Sequence, residues 1–428
     1  MIVFLLKKTI CRCKLIDIFG LFRSLNPVQR VSIFIQRMKP FRNIIRSVFK
    51  LNLLLCLCLL LVSGCKKEPS EEPQFNSFEE ELEYLVEEYV KMGASVGVID
   101  QQQNLQEYYF GSISNDNTRP PDRHSIFELG SITKTFTATV LAQMILDGKI
   151  DLADELESLL PEDELTVPDW EGTKITISHL ATHSSGLPKA PQDSNQPLPP
   201  DYDPYDPYAA YTTEYVYDYL SSYCNLLFEP GSQYSYSNTG MGLIGHVLGL
   251  VEGTTYEEVL QREVLAPLGM NETSLFLSEN QLPNLAPGHD EDRDSVRNYF
   301  AQDIFQGAGF LKSSLHDMLI YLKAQMGLSA TPLDDAISLS QQGHFDVGGV
   351  HYNDREGYYH LTIGLAWHID ELPEGYTFYW HGGRTNGYMA YMAFDLAAMT
   401  GVVILCNQSY ENVIIRFGED VLKAVNKY

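Results

Sequence analysis

Residues 76 onward show two kinds of hydrophobic pattern. Short apolar runs rich in β-branched and aromatic residues occur near both ends and predict strands. They are "ASVGVID" and "LQEYYFGSI" early in the chain, and "LTIGLAWHI", "YTFYWHGG", "GYMAYMAFD" and "GVVILCN" late in it. Residues 127–330 between them show helical spacing interrupted by loops rich in Pro and Gly. Helices are also predicted for "SFEEELEYLVEEYVKMG", from its serine to its glycine, and for the closing "SYENVIIRFGEDVLKAV".

These elements predict an α+β fold. Each group of strands is small by itself, so we expect one antiparallel sheet built from both chain ends and flanked by helices. The helical stretch at about 127–330 is then a subdomain inserted between the strands of that sheet. The prediction is a single folded domain over residues 76–428.

One helical segment, "FELGSITKTFTATVLAQMILDGKI", carries a charge on its apolar stripe. At 3.6 residues per turn, Lys134 shares that stripe with Ala138, Leu141 and Ile145. Burying an unpaired ammonium costs free energy, which leaves two interpretations. Either the lysine extends its amine to solvent, or it is a working group one turn after Ser131.

Ser131 and Lys134 form an S-x-x-K pair that suits nucleophilic chemistry. At this spacing the hydroxyl and the amine lie on adjacent turns of one helix face. A lysine in apolar surroundings has a lowered pKa and can accept the serine proton, and N–H groups at a helix start can bind an oxyanion. The spacing alone is weak evidence, because Ser47–Lys50 repeats it in the leader.

Two further motifs follow along the chain. In "YSYSNTG", Tyr236 and Asn238 flank one residue, so an extended turn points both side chains the same way. A phenol can relay a proton, and an amide can hold a substrate carbonyl or orient the lysine. In "YWHGGRTNGYMAY", two glycines after His381 leave room for a substrate backbone at a strand edge, with His381 beside it. The alternative for the third motif is an ordinary hairpin turn with a capping histidine.

The three motifs in order resemble the serine β-lactamase and penicillin-binding superfamily, whose set is S-x-x-K, S/Y-x-N and K/H-T/S-G. The tyrosine form of the second motif is similar to the branch with class C β-lactamases, D-alanyl-D-alanine carboxypeptidases and related esterases. The segments "HLATHSSGLP", "FEPGSQYSYSNTGMGLIGHVL" and "GAGFLKSSLHDM" also look like that branch. The resemblance spans roughly residues 80–425 and implies a β-lactamase/transpeptidase-like fold.

The resemblance implies a serine hydrolase without a cofactor, which forms a covalent acyl-enzyme on an ester or amide. Ser131 is then the nucleophile, while Lys134 and Tyr236 move the protons. Main-chain N–H groups of Ser131 and Arg384 would stabilise the oxyanion. The residues expected to bind substrate are Asn238, His381, Gly383 and Arg384.

The third motif departs from the superfamily pattern. It has histidine in place of lysine and glycine in place of the hydroxyl residue, which alters the group expected to bind a β-lactam carboxylate. We therefore expect carboxypeptidase or esterase activity rather than efficient β-lactam hydrolysis. D-Ala-D-Ala-type peptides, D-amino-acid peptides and small esters all fit. Two alternatives stay open: a penicillin-recognising sensor or binding lipoprotein with little turnover, and a class C-like β-lactamase.

The start of the chain differs from the rest. "MKPFRNIIRSVFK", "LNLLLCLCLLLV" and "SGC" form the basic, apolar and small-residue parts of a secretory signal. "LVSGC" resembles the lipobox of bacterial lipoproteins, which implies a leader over 1–64, lipidation at Cys65 and a polar tether over 65–75. Met38 is an alternative start of the protein. We expect an exported protein anchored by lipid to the bacterial membrane; a plain secretory signal or an uncleaved anchor is the alternative.

Charge narrows the choice of partners. The first 64 residues hold 11 Lys+Arg and one acidic residue, leaving 19 basic against 55 acidic residues. Such an acidic body argues against nucleic acid and anionic lipid headgroups as partners. The expected partners are a small-molecule or peptide substrate and, through the lipid anchor, the membrane. Only Cys224 and Cys406 remain after Cys65, which excludes a disulfide framework.

Three other features have plain alternatives. His179 and His183 have a metal-ligand spacing, but the positions between them lack the glutamate of a zincin, and we expect no metal. "GMGLIG" matches a dinucleotide-binding pattern without a strand–helix–strand unit around it, so we interpret it as tight helix packing. The loop at 199–211 either covers the mouth of the site or is a solvated surface loop.

Overall fold

The two ends of the chain meet in one antiparallel sheet. The computed structural model describes residues 73–428 apart from 162–164, 192–194, 301, 352–357, 374 and 411–412. The strands in chain order are β1 Gly93–Ile99, β2 Leu105–Gly111, β3 Ile126–Glu128, β4 Gly288–His289, β5 Ser295–Val296, β6 Lys312–Ser314, β7 Phe345–Val350, β8 Tyr359–Ile363, β9 His368–Glu371, β10 Thr377–Arg384, β11 Met389–Asp395 and β12 Thr400–Cys406. Eight of them form a sheet in the order β2-β1-β12-β11-β10-β9-β8-β7. This confirms the α+β fold with a sheet from both chain ends.

Between β2 and β7 the chain is mostly helical. The helices in chain order are α1 Phe78–Tyr89, α2 Thr133–Leu146, α3 Ile177–Ala181, α4 Thr213–Asp218, α5 Asn238–Glu252, α6 Tyr256–Leu260, α7 Ala266–Leu268, α8 Gln306–Gly309, α9 Leu315–Gln325, α10 Asp334–Ser340 and α11 Ile414–Lys427. The stretch between β2 and β7 also contains two short strand pairs, β3–β6 and β4–β5. The helical insertion, predicted at about 127–330, continues to the end of α10 at Ser340.

Helices α1 and α11 cover one face of the sheet. Leu82 and Tyr89 of α1 lie in the same buried cluster as Phe417 of α11 and Ile404 of β12. The rings of Tyr89 and Phe417 are stacked with centroids 5.3 Å apart. Apolar residues repeat along α1 at helical spacing, which places them on the face that meets the sheet.

The end of α1 differs from the prediction. The helix begins after Ser77, whose Oγ accepts a hydrogen bond from Glu80 N at 3.3 Å, but it ends at Tyr89 rather than at Gly93. Val90 is already extended. Gly93 is the first residue of β1 and pairs with Gly111 of β2. Gly93 therefore belongs to the sheet, and the prediction that it ends the helix was wrong.

The segment "LTIGLAWHI" is two strands rather than one. Strand β8 ends at Ile363 and β9 begins at His368. Between them the chain reverses, with Ala366 at a φ of +61° and Gly364 N donating to Trp367 O at 2.9 Å. Trp367 is fully buried in the turn. An apolar turn of this kind has the same local pattern as a continuous strand, which explains the error.

Helix α2 is buried on every side along its first ten residues, from Thr133 to Ala142. The sequence predicts an apolar stripe, but the polar positions are also inside. Their hydroxyls hydrogen-bond main-chain oxygens, as Thr137 Oγ1 does to Gly307 O at 2.7 Å and Thr139 Oγ1 to Thr135 O at 3.0 Å. A satisfied hydroxyl is tolerated in a core. Lys134 is also fully buried, so the interpretation that its amine reaches solvent is wrong.

The glycines of "GMGLIG" allow α5 to pack closely against the segment before β6. A Cβ atom at Gly242 would lie 2.5 Å from Ile304 O, and one at Gly245 would lie 2.9 Å from the Cα of Gly307. Both distances are too short for any larger residue without a backbone shift. The interpretation as tight helix packing is confirmed.

Several predictions fall on residues that the structure does not describe. These are the leader over 1–64, lipidation at Cys65, the start at Met38 and most of the tether over 65–75. Within the described part of the chain, no helix combines the length and the apolar character needed to cross a bilayer. Cys224 and Cys406 are both free thiols.

Candidate active site

Ser131 lies on a tight turn between β3 and α2. The turn spans Gly130–Ile132, and Gly130 has a φ of +50°. A Cβ atom on Gly130 would lie 2.5 Å from Arg384 N at the end of β10, so only glycine fits this contact. The turn thus brings the Ser131 hydroxyl to the edge of the large sheet at the start of a buried helix.

Lys134 contacts Ser131 directly. Its Nζ donates to Ser131 Oγ at 3.0 Å, donates to the main-chain oxygen of Ala308 and lies 4.9 Å from the ring centre of Tyr236. Burial lowers the pKa of Lys134 well below its ordinary value, and the positive charge of Lys189 acts in the same direction. A neutral amine at this distance can accept the proton of the hydroxyl.

Tyr236 and Asn238 reach the same place from the start of α5. Ser237 between them is extended, with φ −129° and ψ 117°, and both neighbours line the cavity that contains Ser131. Burial raises the pKa of Tyr236, while a hydrogen bond with Ser131 acts in the opposite direction. Asn238 Nδ2 donates to Tyr208 OH at 2.6 Å, and its buried Oδ1 has no hydrogen-bond partner among the described residues. That unpaired amide oxygen belongs to a residue of the cavity wall.

The third motif is part of a strand rather than a turn. His381, Gly382, Gly383 and Arg384 all belong to β10, and Arg384 pairs with Met389 of β11. Gly383 makes the closest approach to the nucleophile turn, because a Cβ atom there would lie 1.9 Å from Leu129 O and 3.0 Å from Ser131 N. The backbone of β10 therefore lies directly against the main-chain N–H of Ser131.

This contact predicts that Gly383→Ala strongly reduces activity. The methyl group cannot fit beside Leu129 O, so β10 must move away from Ser131, and a misplaced site of this kind costs on the order of 10²-fold in rate. Gly382→Ala is the matched control, because the nearest atoms to its Cβ would belong to side chains, Ile415 at 3.2 Å and Trp380 at 3.9 Å. The measurement is the acylation rate of both variants. Equal rates for the two would refute this account of the contact.

His381 does not line the cavity. It is 1% exposed, and its Nδ1 donates to Gly382 O at 2.8 Å. Its ring centre lies 6.3 Å from that of Tyr236. Burial lowers the pKa of His381 well below the ordinary value, and the nearby His368 and Lys134 lower it further. The His381 side chain is thus buried beside Tyr236 and outside the cavity wall, and its role in substrate binding stays a prediction.

An open cavity of about 980 Å³ contains Ser131 and most of the predicted site residues. Tyr205 and Tyr208 belong to its wall, so the loop at 199–211 contributes to the cavity. Other lining residues that sequence analysis did not single out are Lys189, Asp290, Glu291, Asp292, Arg297 and Tyr299. Lys189 directly follows the segment "HSSGLP", and this position was the one feature of the sequence that could have indicated it as a site residue.

Arg384 provides a cation at the cavity wall. Its Nε donates to Ser409 Oγ at 2.9 Å, and both residues line the cavity. Arg297, another cation in the wall, forms an ion pair with Asp203. Among the described residues, Arg384 forms no ion pair with a carboxylate. Its guanidinium is therefore able to meet an anionic group of a ligand.

The two histidines with metal-ligand spacing, His179 and His183, both accept hydrogen bonds from main-chain N–H groups. Nδ1 of His179 accepts a hydrogen bond from Thr176 N at 3.2 Å and completes the cap of α3. Nδ1 of His183 accepts one from Ser237 N at 3.2 Å. Within the described ranges, no cluster of three metal-ligating side chains occurs.

Comparisons with known proteins agree with this arrangement. A family model described as Beta-lactamase matches residues 78–425. A β-lactamase of Pseudomonas fluorescens is 27% identical over 368 residues, which cover 77% of this chain and 92% of that protein. The D-alanyl-D-alanine-carboxypeptidase/endopeptidase AmpH of Escherichia coli (strain K12) is 30% identical over 227 residues, 53% of this chain and 56% of that protein.

A crystal structure of a β-lactamase/D-alanine carboxypeptidase from Yersinia pestis, complexed with citrate, has the same fold. It superimposes with a TM-score of 0.68 at 24% identity and covers 81% of this chain and 95% of that chain. The family match extends over nearly the whole described body and includes Ser131, Tyr236 and His381. The chain belongs to the β-lactamase family.

Proposed function

We propose that this protein is a serine hydrolase that cleaves an ester or amide through a covalent acyl-enzyme. The observation that carries the proposal is the contact of a fully buried lysine amine with a serine hydroxyl, at 3.0 Å, beside an open cavity. Buried lysines are rarely unpaired, and this one has the lowered pKa that a general base requires.

The residues have separate roles in the proposed reaction. Ser131 Oγ attacks the carbonyl carbon, and its proton passes to Lys134. The carbonyl oxygen becomes an oxyanion, stabilised by the main-chain N–H groups of Ser131 and Arg384. When the bond to the leaving group breaks, the proton returns to that group through Lys134 and Tyr236. Water then attacks the carbonyl carbon of the ester on Ser131 and gives a proton to Lys134 and Tyr236. The bond to Ser131 Oγ breaks, Oγ takes up that proton, and the carboxylic acid is released.

The third motif supports a carboxypeptidase or esterase over an efficient β-lactamase. Gly382 has no hydroxyl to offer a β-lactam carboxylate, and His381 is a buried, neutral residue. D-Ala-D-Ala-type peptides, D-amino-acid peptides and small esters are the proposed substrates. The guanidinium of Arg384 and the amide of Asn238 would bind them, with Gly383 leaving space at the strand edge.

Intact mass spectrometry tests this proposal on the wild-type protein. The protein is treated with a panel of esters, D-peptides and β-lactams, and both the mass of the adduct and the release of product are recorded. We expect a transient adduct and turnover with an ester or a D-peptide. A stable adduct with a β-lactam and no turnover on any member of the panel would instead indicate a sensor.

We also propose that the protein is exported and anchored to the bacterial membrane by a lipid on Cys65. The apolar run that ends in "SGC" supports this proposal. Cys65→Ala is expected to move the protein into the soluble exported fraction, because one covalent anchor is lost. The measurement is fractionation together with the N-terminal sequence of the mature protein. Unchanged membrane partition with an N-terminus upstream of Cys65 would contradict the proposal.

A further inference from the structure

His183 holds the segment of Tyr236 on both sides. It lies two residues after α3 and is fully buried. Its main-chain oxygen accepts a hydrogen bond from Ser235 N at 2.8 Å, and its Nδ1 accepts one from Ser237 N at 3.2 Å. These two donors are the neighbours of Tyr236 in the chain. The main chain on either side of Tyr236 is therefore hydrogen-bonded to one residue, His183.

The side chain of His183 also contacts the tyrosine itself. Its ring centre lies 4.4 Å from that of Tyr236, and the two planes are inclined at 36°. Tyr236 packs against His381 on another side, at 6.3 Å between ring centres. The phenol is thus restricted by its main chain and by neighbouring rings. Such restriction fixes where its hydroxyl lies relative to Ser131.

The backbone of His183 has an unusual conformation. Its φ is +56°, in the left-handed region that residues other than glycine seldom adopt and in which Asn, Asp and His are enriched. In this conformation the main-chain oxygen and the side chain face the same segment. Strained backbone of this kind persists where surrounding contacts impose it, often at functional sites.

The hydrogen bond from Ser237 N requires a neutral imidazole. Nδ1 can accept from Ser237 N only when it carries no proton, so the hydrogen is on Nε2. Burial lowers the pKa of His183 well below its ordinary value, with further contributions from Lys134 and His368. Other titratable groups near the ring are the phenols of Tyr234, at 6.1 Å, and Tyr236, together with the imidazole of His381. The acceptor is therefore available at neutral pH.

We propose that His183 is a positioning residue for Tyr236. It places the phenol hydroxyl beside Ser131 by fixing the backbone around the tyrosine and by packing on its ring. The inference rests on the proposed role of Tyr236 in proton transfer. It also explains why a histidine occupies this strained position although it does not line the cavity of Ser131 and, among the described residues, takes part in no cluster of metal-ligating groups.

Two substitutions at His183 separate the hydrogen bond from the backbone conformation. Glycine and asparagine both tolerate a positive φ, but only asparagine has a side-chain oxygen that can accept from Ser237 N. We expect kcat of His183→Gly to fall by about 10- to 100-fold, as for a misplaced catalytic group, with KM nearly unchanged. His183→Asn should recover most of that loss. Equal kcat for the two variants would overturn the proposal.

His179→Ala is the matched control. His179 lies on α3, four residues before His183, and also accepts a main-chain hydrogen bond through Nδ1, from Thr176 N at 3.2 Å. Its loss should lower the melting temperature and leave kcat unchanged. A fall in kcat for His179→Ala equal to that of His183→Gly would mean that stability of this segment, not positioning of Tyr236, sets the rate.

A double-mutant cycle with Tyr236→Phe completes the test. If His183 acts through the phenol hydroxyl, His183→Gly should lower kcat no further once that hydroxyl is absent. Additive losses would overturn the proposal. If His183→Gly does not fold, His183→Asn decides: kcat near wild type supports positioning, and kcat as low as that of Tyr236→Phe refutes it. Wild-type kcat for Tyr236→Phe would instead refute the proposed role of Tyr236 on which the inference rests.

Discussion

Ser131→Ala is expected to abolish covalent labelling by a fluorophosphonate or a penicillin probe. Ser131 Oγ lies 3.0 Å from the amine of Lys134, and in the described part of the chain no other serine hydroxyl has such a contact with a lysine amine. Without the oxygen there is no atom that can form the acyl bond, while the remaining cavity is unchanged. Intact mass spectrometry after incubation with each probe provides the measurement.

Ser295→Ala is the matched control for this experiment. Ser295 also lines the cavity, but it is exposed and lies on β5 away from any lysine contact that the structure shows. Labelling of this variant should equal that of the wild type. A label that persists in Ser131→Ala, or that maps to Ser184, Ser185 or Ser313, would overturn the assignment of the nucleophile.

Lys134→Met is expected to fold normally and to acylate at least ~10²-fold more slowly, the low end of the effect of a general base. Methionine fills a similar apolar volume in a helix that is buried all round, and it removes an amine whose burial is unfavourable. The melting temperature should therefore be equal or higher. Stopped-flow acylation and thermal unfolding measure the two effects separately.

The pH dependence of acylation provides a second readout for Lys134. Burial lowers the pKa of its amine, so the neutral form that accepts a proton becomes populated at a lower pH than for an ordinary lysine. The acylation rate should rise with increasing pH through this lowered pKa and then level off. Because Lys134, Ser131 and Tyr236 interact, the apparent pKa belongs to the coupled group. This rising limb should be absent in Lys134→Met.

Lys312→Met is the control for a buried lysine that does not contact Ser131. Nζ of Lys312 donates to two main-chain oxygens, of Leu275 at 3.2 Å and Phe310 at 3.4 Å. Its pKa is also lowered by burial. Acylation by a folded Lys312→Met protein should match the wild type. A folded Lys134→Met protein that acylates at the wild-type rate would show that the lysine is only a packed core residue.

Two errors of sequence analysis, in α2 and in the turn around Trp367, share a physical cause. Period-2 and period-3.6 patterns report which side chains are apolar, and they do not report which neighbours make a polar residue acceptable inside. Helix α2 was therefore assigned a single apolar stripe, although Thr137 and Thr139 are buried with their hydroxyls bonded to main-chain oxygens. In the same way, the buried turn around Trp367 has the apolar pattern of a strand.

The sequence by itself determined the class of fold, the family resemblance and the order of the three motifs, because short motifs and regular periodicities are local properties of the chain. Only the tertiary structure decided what surrounds the motifs. The carbonyl of Ala308 and the ring of Tyr236 reach Lys134 from residues more than 100 positions away. Tyr208, which accepts a hydrogen bond from Asn238, comes from a loop whose sequence has no regular periodicity.

The same distinction applies to the two histidines. His381 belongs to a motif that sequence analysis recognised, yet its burial next to Tyr236 depends on which way β10 turns its side chains. His183 was noticed for its spacing to His179, and its actual partners are Ser235 and Ser237. A side chain's partners are set by packing between segments that are distant in sequence, and no local pattern encodes that packing.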